Sequence, residues 1–290
     1  MISFIIPFAS KGDNLYQRRD MDEGMIILST ILSIKNINKT FDVPKEIILV
    51  DNTHSFPNIK MDNLKIVKGW QALTEDEVRK QPTFEKYNID DFNVLAMWCS
   101  MAHNVGIEHA KGDYIILQHN DIFYHENLLP KLYQTLEHNE YVAVDSKHLT
   151  LTGYLGNKDI IDSLDIDFEI GYESGGFIKQ KMFGLSDAYF FMCKREFFDD
   201  YYVDWGYGDC NHGATIKCLI EGKSFHHIGP FFGNSNYNTD ESNTYIFFGK
   251  KFITHLKGGF SEYNLSFKKD NKKYNMSKGN NYLTKLKELS

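Results

Sequence analysis

The chain has 290 residues, of which 42% are hydrophobic and 14% aromatic, so it can bury a sizeable core and is not a disordered protein. Its formal net charge of −7 argues against general nucleic-acid binding. The four cysteines have no CxxC spacing and are expected to be reduced thiols, as in a cytosolic protein. Neither a signal peptide nor a membrane-spanning apolar run is indicated.

Short apolar runs alternate with helical patterns along the first part of the chain. Continuous apolar runs of this length are typical of strands buried on both faces, and three are predicted, at residues 2–6, 46–50 and 64–67. A helix is predicted from about Met21 to Asn38. Its apolar side is expected to contain Met25, Leu28, Ile31, Leu32 and Lys35. Strands separated by helices predict right-handed crossovers and a parallel sheet.

A second amphipathic helix leads into the most informative stretch of the chain. The helix carries an apolar stripe made of Val94, Met97, Trp98, Met101 and Val105. A buried strand is predicted at residues 113–117. Further strands are predicted at residues 141–144, 186–193 and 224–228, and further helices at residues 127–136, 195–200 and 211–221.

Polar side chains follow two of the predicted strands. Asp51 and Asn52 follow the strand at residues 46–50, and His119-Asn120-Asp121 follows the strand at residues 113–117. In open α/β sheets, ligands bind beyond the carboxyl ends of strands. These residues therefore predict a binding site, although an Asx turn ending a strand would explain Asp51 and Asn52 nearly as well.

Four motifs follow one another along the chain. They are Ile2–Pro7, the strand ending in Asp51-Asn52, HNxGxxxAxGxYIxxxxxD over residues 103–121, and WGYGD at residues 205–209 before a helix that ends at Gly222. Their order resembles that of a GT-A fold glycosyltransferase, most closely the large inverting family two group. The resemblance implies an α/β GT-A fold with a mostly parallel central sheet flanked by helices. It further implies a catalytic domain at residues 1–235 and a basic, partly helical C-terminal extension at residues 236–290.

The resemblance also implies an activity and a donor site. Sugar would pass from a nucleotide-sugar donor, with UDP favoured, to a hydroxyl of a glycan or lipid-linked acceptor, with inversion, as in polysaccharide biosynthesis. The residues implied to contact the donor are Pro7, Ala9, Asp51, Asn52, His103, Asn104, His119 and Asn120.

A divalent cation, Mn²⁺ or Mg²⁺, is implied because the departing nucleoside diphosphate needs its charge neutralised. The DXD motif of the family falls on residues 119–121, so Asp121 is the expected ligand, and His119 replaces the first aspartate. Imidazole is acceptable to Mn²⁺ and less suited to Mg²⁺. His227 is the preferred third ligand over His226, although a lone imidazole is more often an ordinary structural side chain.

Asp209 is the implied general base, since the family carries the base as the second member of an acidic pair at this point. Only that second member is present here, after Gly208. An aspartate before a helix is also a favourable partner for the helix dipole. Trp205 and Tyr207 are expected to line the acceptor site, or else to be core aromatics.

Two other functions stay open on the sequence. A nucleotidyltransferase would share the sheet but needs a Gly-rich phosphate loop, of which residues 7–12 are a weak version. A non-catalytic nucleotide- or glycan-binding module is suggested by His119 and Gly208. The tail from Lys250 to Ser290 holds ten lysines against three acidic residues, which suits either peripheral contact with the inner face of a membrane or an ordinary solvated surface.

Overall fold

The structure is a computed structural model. It describes residues 1–9, 23–69, 94–145, 168–171, 177–180, 188–199, 214, 217–218, 221–228 and 244–255. No helix within these residues is long and apolar enough to span a membrane.

Twelve strands, three α-helices and one 3-10 turn are defined among the described residues. The strands are β1 (Ile2–Phe8), β2 (Lys45–Asp51), β3 (Leu64–Lys68), β4 (Tyr114–Gln118), β5 (Ile122–Tyr124), β6 (Tyr141–Asp145), β7 (Phe168–Gly171), β8 (Phe177–Gln180), β9 (Ala188–Lys194), β10 (His226–Ile228), β11 (Thr244–Phe247) and β12 (Lys250–His255). The helices are α1 (Glu23–Thr40), α2 (Val94–His109) and α3 (Leu129–Leu136), and the 3-10 turn is Arg195–Phe198.

Seven of the strands form the central sheet, in the order β10-β6-β9-β4-β1-β2-β3. The four strands β4, β1, β2 and β3 are parallel, as are β10 and β6. Only β9 runs antiparallel to its neighbours within this sheet. The predicted α/β class with a mostly parallel sheet is therefore confirmed.

Both faces of the central sheet are covered, which is why its strands appear as continuous apolar runs. Along β1, Phe4 and Ile6 belong to the apolar cluster on one face, and Ile5 belongs to the cluster on the other. Burial of each such side chain contributes roughly 1.5–3 kcal/mol to folding. The glycine of the HNxG motif has a packing role, because a Cβ atom at Gly106 would collide with the Ile5 side chain.

Helix α1 packs with a different side than the one predicted. Leu28, placed on the apolar side by the sequence, is 42% exposed, so this part of the prediction is wrong. The buried side chains of α1 are Ile26, Ser29, Thr30, Ser33, Ile34 and Ile37. Three buried hydroxyl groups therefore face the interior from this helix.

Two smaller sheets accompany the central sheet, and one of them is the antiparallel pair β7 and β8. Strands β11 and β12 form an antiparallel hairpin, and β12 pairs with the short strand β5, which follows the polar cluster after β4. Residues 244–255, from the predicted C-terminal extension, thus lie against the segment that carries Asp121. The domain boundary at residue 235 stays a prediction.

Candidate active site

The candidate site lies at the carboxyl ends of β1, β2 and β4. These strands are parallel neighbours, and the register places Phe8 opposite Asp51. The backbone N–H of Asn52 donates to the Phe8 carbonyl at 2.9 Å. The carboxyl ends of these three strands therefore share one edge of the sheet, and each is followed by polar or loop residues. Ligands of open α/β sheets bind at such an edge.

Three side chains that could hold a metal ion converge at this edge, namely His119, Asp121 and His255, here called the His–Asp–His cluster. One ligand atom from each lies within 4.8 Å of the others. His255 Nε2 is 3.1 Å from Asp121 Oδ1, and both side chains are buried. The rings of His119 and His255 are 5.3 Å apart.

His255 reaches the cluster through strand pairing. It is the last residue of β12, and its register partner is Ile122, the residue after Asp121. The sequence analysis did not identify His255. A readable signal was the hairpin pattern around Gly249, where two runs rich in β-branched and aromatic residues flank a glycine.

The electrostatics of the cluster favour an ionised Asp121. Burial by itself would raise the pKa of Asp121, but His255 and then His119 lower it, and the net result is a pKa below the usual value. A buried carboxylate is stable only with such cationic or hydrogen-bonding partners. A bound divalent cation would serve the same purpose.

The donor set fits a divalent transition-metal ion. Two imidazoles and one carboxylate suit Mn²⁺ and its later neighbours, whereas Mg²⁺ prefers oxygen ligands throughout. The three residues come from two separate parts of the chain, residues 119–121 and residue 255. They would leave the remaining coordination positions of an ion to other ligands.

Asp51 closes the loop that follows β2. Its Oδ1 accepts from the Thr53 N–H at 3.0 Å and from the Thr53 hydroxyl at 3.2 Å, and its Oδ2 accepts from the Phe56 N–H at 2.7 Å. This is the Asx-turn arrangement that the sequence left open. Contact between Asp51 and a nucleoside base stays a prediction. The neighbouring Asn52 packs closely on Gly69, where a Cβ atom would collide with the Asn52 side chain.

His103 is a buried imidazole beneath the candidate site. It lies on α2, is 1% exposed, and neither ring nitrogen has a hydrogen-bond partner among the described residues. Burial, assisted by the charge of His119, lowers its pKa to about 3. His103 is therefore neutral at physiological pH and carries one donor and one acceptor.

We expect His103 to make the protein acid-sensitive. Between pH 6.5 and about 3 the unfolded chain takes up a proton that the folded protein does not, so stability falls as the pH drops through 6.5. From pH 7 to pH 5 this amounts to about 2 kcal/mol. His103→Leu should lack this loss, as measured by urea unfolding at both pH values.

The matched control for this measurement is His138→Leu, at an exposed position just after α3. This variant should keep the loss of unfolding free energy between pH 7 and pH 5 that His103 causes. An unchanged acid response in His103→Leu would show that His103 is not the buried neutral imidazole.

The remaining predicted site residues are placed as follows. Asn104 is buried on α2 beside His103, and the amide nitrogen of Asn120 donates to Thr30 Oγ1 at 3.0 Å. The backbone of His227 lies in β10, three strands from β4, and its side chain is outside the described part of the chain. Outside the described residues altogether lie Trp205, Tyr207 and Asp209.

Comparison with known proteins gives one family match. Residues 98–201 match the model of glycosyl transferase family 2, a stretch that contains His103, Asn104 and residues 119–121. No curated protein sequence matches the chain.

Solved structures resemble the chain at low identity. Bifunctional IspDF from Campylobacter jejuni is 9% identical over 79% of this chain and 49% of its own, with a TM-score of 0.42. S. aureus TarS 1-349 in complex with UDP-GlcNAc is 11% identical over 70% and 48%, with a TM-score of 0.33. Mannosyltransferase PcManGT from Pyrobaculum calidifontis, in complex with GDP-Man and Mn²⁺, is 14% identical over 79% and 54%, with a TM-score of 0.37.

The chain spans about half the length of each of these three structures. The family match and the α/β sheet agree with the motif order described above. They confirm that the chain is a GT-A fold protein resembling the family two glycosyltransferases.

Proposed function

We propose that the protein transfers a sugar from a nucleotide-sugar donor, with a UDP-sugar favoured, to a hydroxyl group of a glycan or lipid-linked acceptor. The observation that carries this proposal is the His–Asp–His cluster at the carboxyl edge of the sheet, two members of which, His119 and Asp121, lie inside the stretch that matches the family. That edge is where open α/β sheets bind nucleotides.

The cluster is the proposed metal site, with Mn²⁺ preferred over Mg²⁺. We propose His255 in place of His227 as the third ligand, because its Nε2 lies 3.1 Å from Asp121 Oδ1. When bound, the cation would neutralise negative charge on the departing nucleoside diphosphate. Asp121 supplies the anionic ligand, and the two imidazoles select against Mg²⁺.

The donor pocket is proposed to lie along the same edge of the sheet. The residues proposed to line it are Pro7, Ala9, Asp51, Asn52, His103, Asn104, His119 and Asn120. Neutral His103 supports the proposal, because a buried imidazole with no partner among the described residues can form a hydrogen bond with a ligand without breaking one within the described protein. Asp51 contributes by fixing the loop at residues 51–56.

Proton transfer and acceptor binding are proposed from the sequence motif. Asp209 would remove the proton from the acceptor hydroxyl, on the side opposite the departing nucleotide, which gives inversion at the anomeric carbon. Trp205 and Tyr207 would line the acceptor site, since aromatic faces stack well on sugar rings.

Ligand-dependent thermal stability tests the proposal directly. With UDP at about 100 times its dissociation constant and Mn²⁺ present, stability should rise by about 2.7 kcal/mol, or about 5 °C in Tm. UDP without metal should give a much smaller shift, and Mg²⁺ should replace Mn²⁺ poorly.

The comparison ligands for this experiment are GDP and CDP under the same conditions. A metal-dependent response to one of them alone would change the donor class and keep sugar transfer. The absence of a response to any nucleotide, with or without metal, would contradict the proposal and favour a glycan-binding module.

A further inference from the structure

We infer that helix α1 is a positioning element for the metal site, acting through Thr30, Ser33 and Asn36. This inference rests on the proposed metal site, since it concerns the segment that carries Asp121. None of the three side chains is a ligand. Together they hold residues 118–124 on both sides of Asp121.

Thr30 holds Asn120, the residue before Asp121. The Thr30 hydroxyl donates to the Ile26 carbonyl at 2.8 Å, which uses its only proton. Its lone pairs are therefore free to accept from Asn120 Nδ2 at 3.0 Å. The direction of both hydrogen bonds is fixed by chemistry, because an amide nitrogen can only donate.

Ser33 holds Ile122, the residue after Asp121. Its hydroxyl donates to the Ile122 carbonyl at 2.7 Å and accepts from Gln118 Nε2 at 3.4 Å. Ser33 and Gln118 are both fully buried. In a buried location, loss of either partner leaves a polar group unsatisfied, which is unfavourable.

Asn36 holds the end of β5. Its Oδ1 accepts from the Tyr124 N–H at 2.7 Å and its Nδ2 donates to the Tyr124 carbonyl at 3.0 Å. The carboxamide thus pairs with the backbone as a neighbouring strand would. The Tyr124 hydroxyl then donates to Gln118 Oε1 at 2.6 Å, which links the two ends of the segment.

The spacing of the three residues makes them one surface of the helix. Positions three apart lie on adjacent turns, so Thr30, Ser33 and Asn36 form a continuous polar stripe. Such residues are neutral to unfavourable inside helices and give up apolar contact when buried. Here each of them is bonded to the segment that contains a proposed metal ligand.

Residues that support metal ligands contribute measurably to binding, and their loss typically costs 10- to 100-fold in metal affinity. The position of Asp121 is restricted, because its neighbours Asn120 and Ile122 are both hydrogen-bonded to α1. Release of one bond should let the carboxylate move away from His119 and His255. We therefore expect α1 variants to alter metal affinity without contacting the metal.

The test is Mn²⁺ binding in the absence of nucleotide, measured from the electron spin resonance signal of free Mn²⁺. Thr30→Val removes the hydroxyl while keeping the shape, and it should weaken Mn²⁺ binding by about 10-fold. Thr30→Ser keeps the hydroxyl and should stay within about twofold of the unaltered protein.

Ser29→Ala is the matched control. Ser29 is the adjacent residue on α1 and is equally buried, but its hydroxyl has no hydrogen-bond partner among the described residues. Its replacement should leave Mn²⁺ affinity unchanged. Asn120→Ala removes the other partner of the hydrogen bond that Thr30→Val breaks, and it should also weaken Mn²⁺ binding by about 10-fold. It replaces Thr30→Val in the test if the valine variant folds poorly.

The outcomes separate this inference from the proposed function. Mn²⁺ binding by the unaltered protein, with equal affinity in Thr30→Val and Asn120→Ala, would overturn the positioning role and leave the metal site intact. Equal losses in Thr30→Val and Ser29→Ala would show general loosening of the helix and also overturn it. Failure of the unaltered protein to bind Mn²⁺ would overturn the metal site and the positioning role together.

Discussion

Replacing Asp121 with asparagine is expected to weaken Mn²⁺ binding by more than the roughly 10- to 100-fold that follows the loss of a supporting residue. Asp121 is the one anionic group in the His–Asp–His cluster, and its pKa is held low by His255 and His119, against the effect of burial. An amide of the same shape offers a neutral oxygen, so the site loses most of its attraction for a divalent cation. Calorimetric titration with Mn²⁺ measures the effect, and the metal-dependent part of the UDP response should disappear with it.

The control for this substitution is Asp42→Asn, which changes an exposed aspartate in the turn between α1 and β2. It should bind Mn²⁺ as the unaltered protein does. His255→Gln should show an intermediate loss, because one neutral ligand is replaced and Asp121 keeps its charge. Mn²⁺ affinity in Asp121→Asn within about threefold of the unaltered value would contradict the assignment of the cluster as the metal site.

The central strands and the edge that carries the site were predictable from the sequence. β1, β2 and β4 are covered on both faces, so most of their residues are apolar, and the polar residues at the carboxyl ends of β2 and β4 mark where these strands stop. This is why the position of residues 119–121 could be predicted without knowledge of the strand order. The parallel direction followed from the helices between the strands.

His255 could not be assigned to the cluster in the same way. It is 134 residues from Asp121 in the chain, and the two meet because β12 pairs antiparallel with β5. The pattern of a single sequence does not specify which distant strand will pair with a short strand such as β5. The lysines at positions 250 and 251 also matched the basic composition of the tail, which favoured a solvated extension over a strand with a buried end.

The polar stripe on α1 was missed for a different reason. Apolar residues occur all around this helix, so the hydrophobic pattern does not select one side, and the predicted side contained the exposed Leu28. The inward side of α1 is set by the backbone of residues 120–124. Polar groups of this backbone, such as the Ile122 carbonyl and the Tyr124 N–H, take side chains of α1 as hydrogen-bond partners. That requirement appears only once β5 has been placed.

Replacing Asp209 with asparagine is expected to lower kcat for sugar transfer by about 10²- to 10⁴-fold, the usual contribution of a general base. The amide keeps the size and hydrogen-bonding shape of the carboxylate but cannot accept the acceptor proton. KM for the donor and the Mn²⁺ affinity should change little, because Asp209 is not one of the proposed metal ligands or donor-binding residues. Initial rates with saturating donor and acceptor give the comparison.

Asp199→Asn is the control for the loss of a carboxylate in this region, since Asp199 is exposed at the end of the 3-10 turn and precedes the WGYGD motif by a few residues. It should retain full kcat. A loss in Asp209→Asn that appears in KM for the acceptor and leaves kcat unchanged would assign Asp209 to acceptor binding. Undiminished transfer by Asp209→Asn would remove it from the reaction, and the acceptor proton would then have to leave through another group at the carboxyl edge of the sheet.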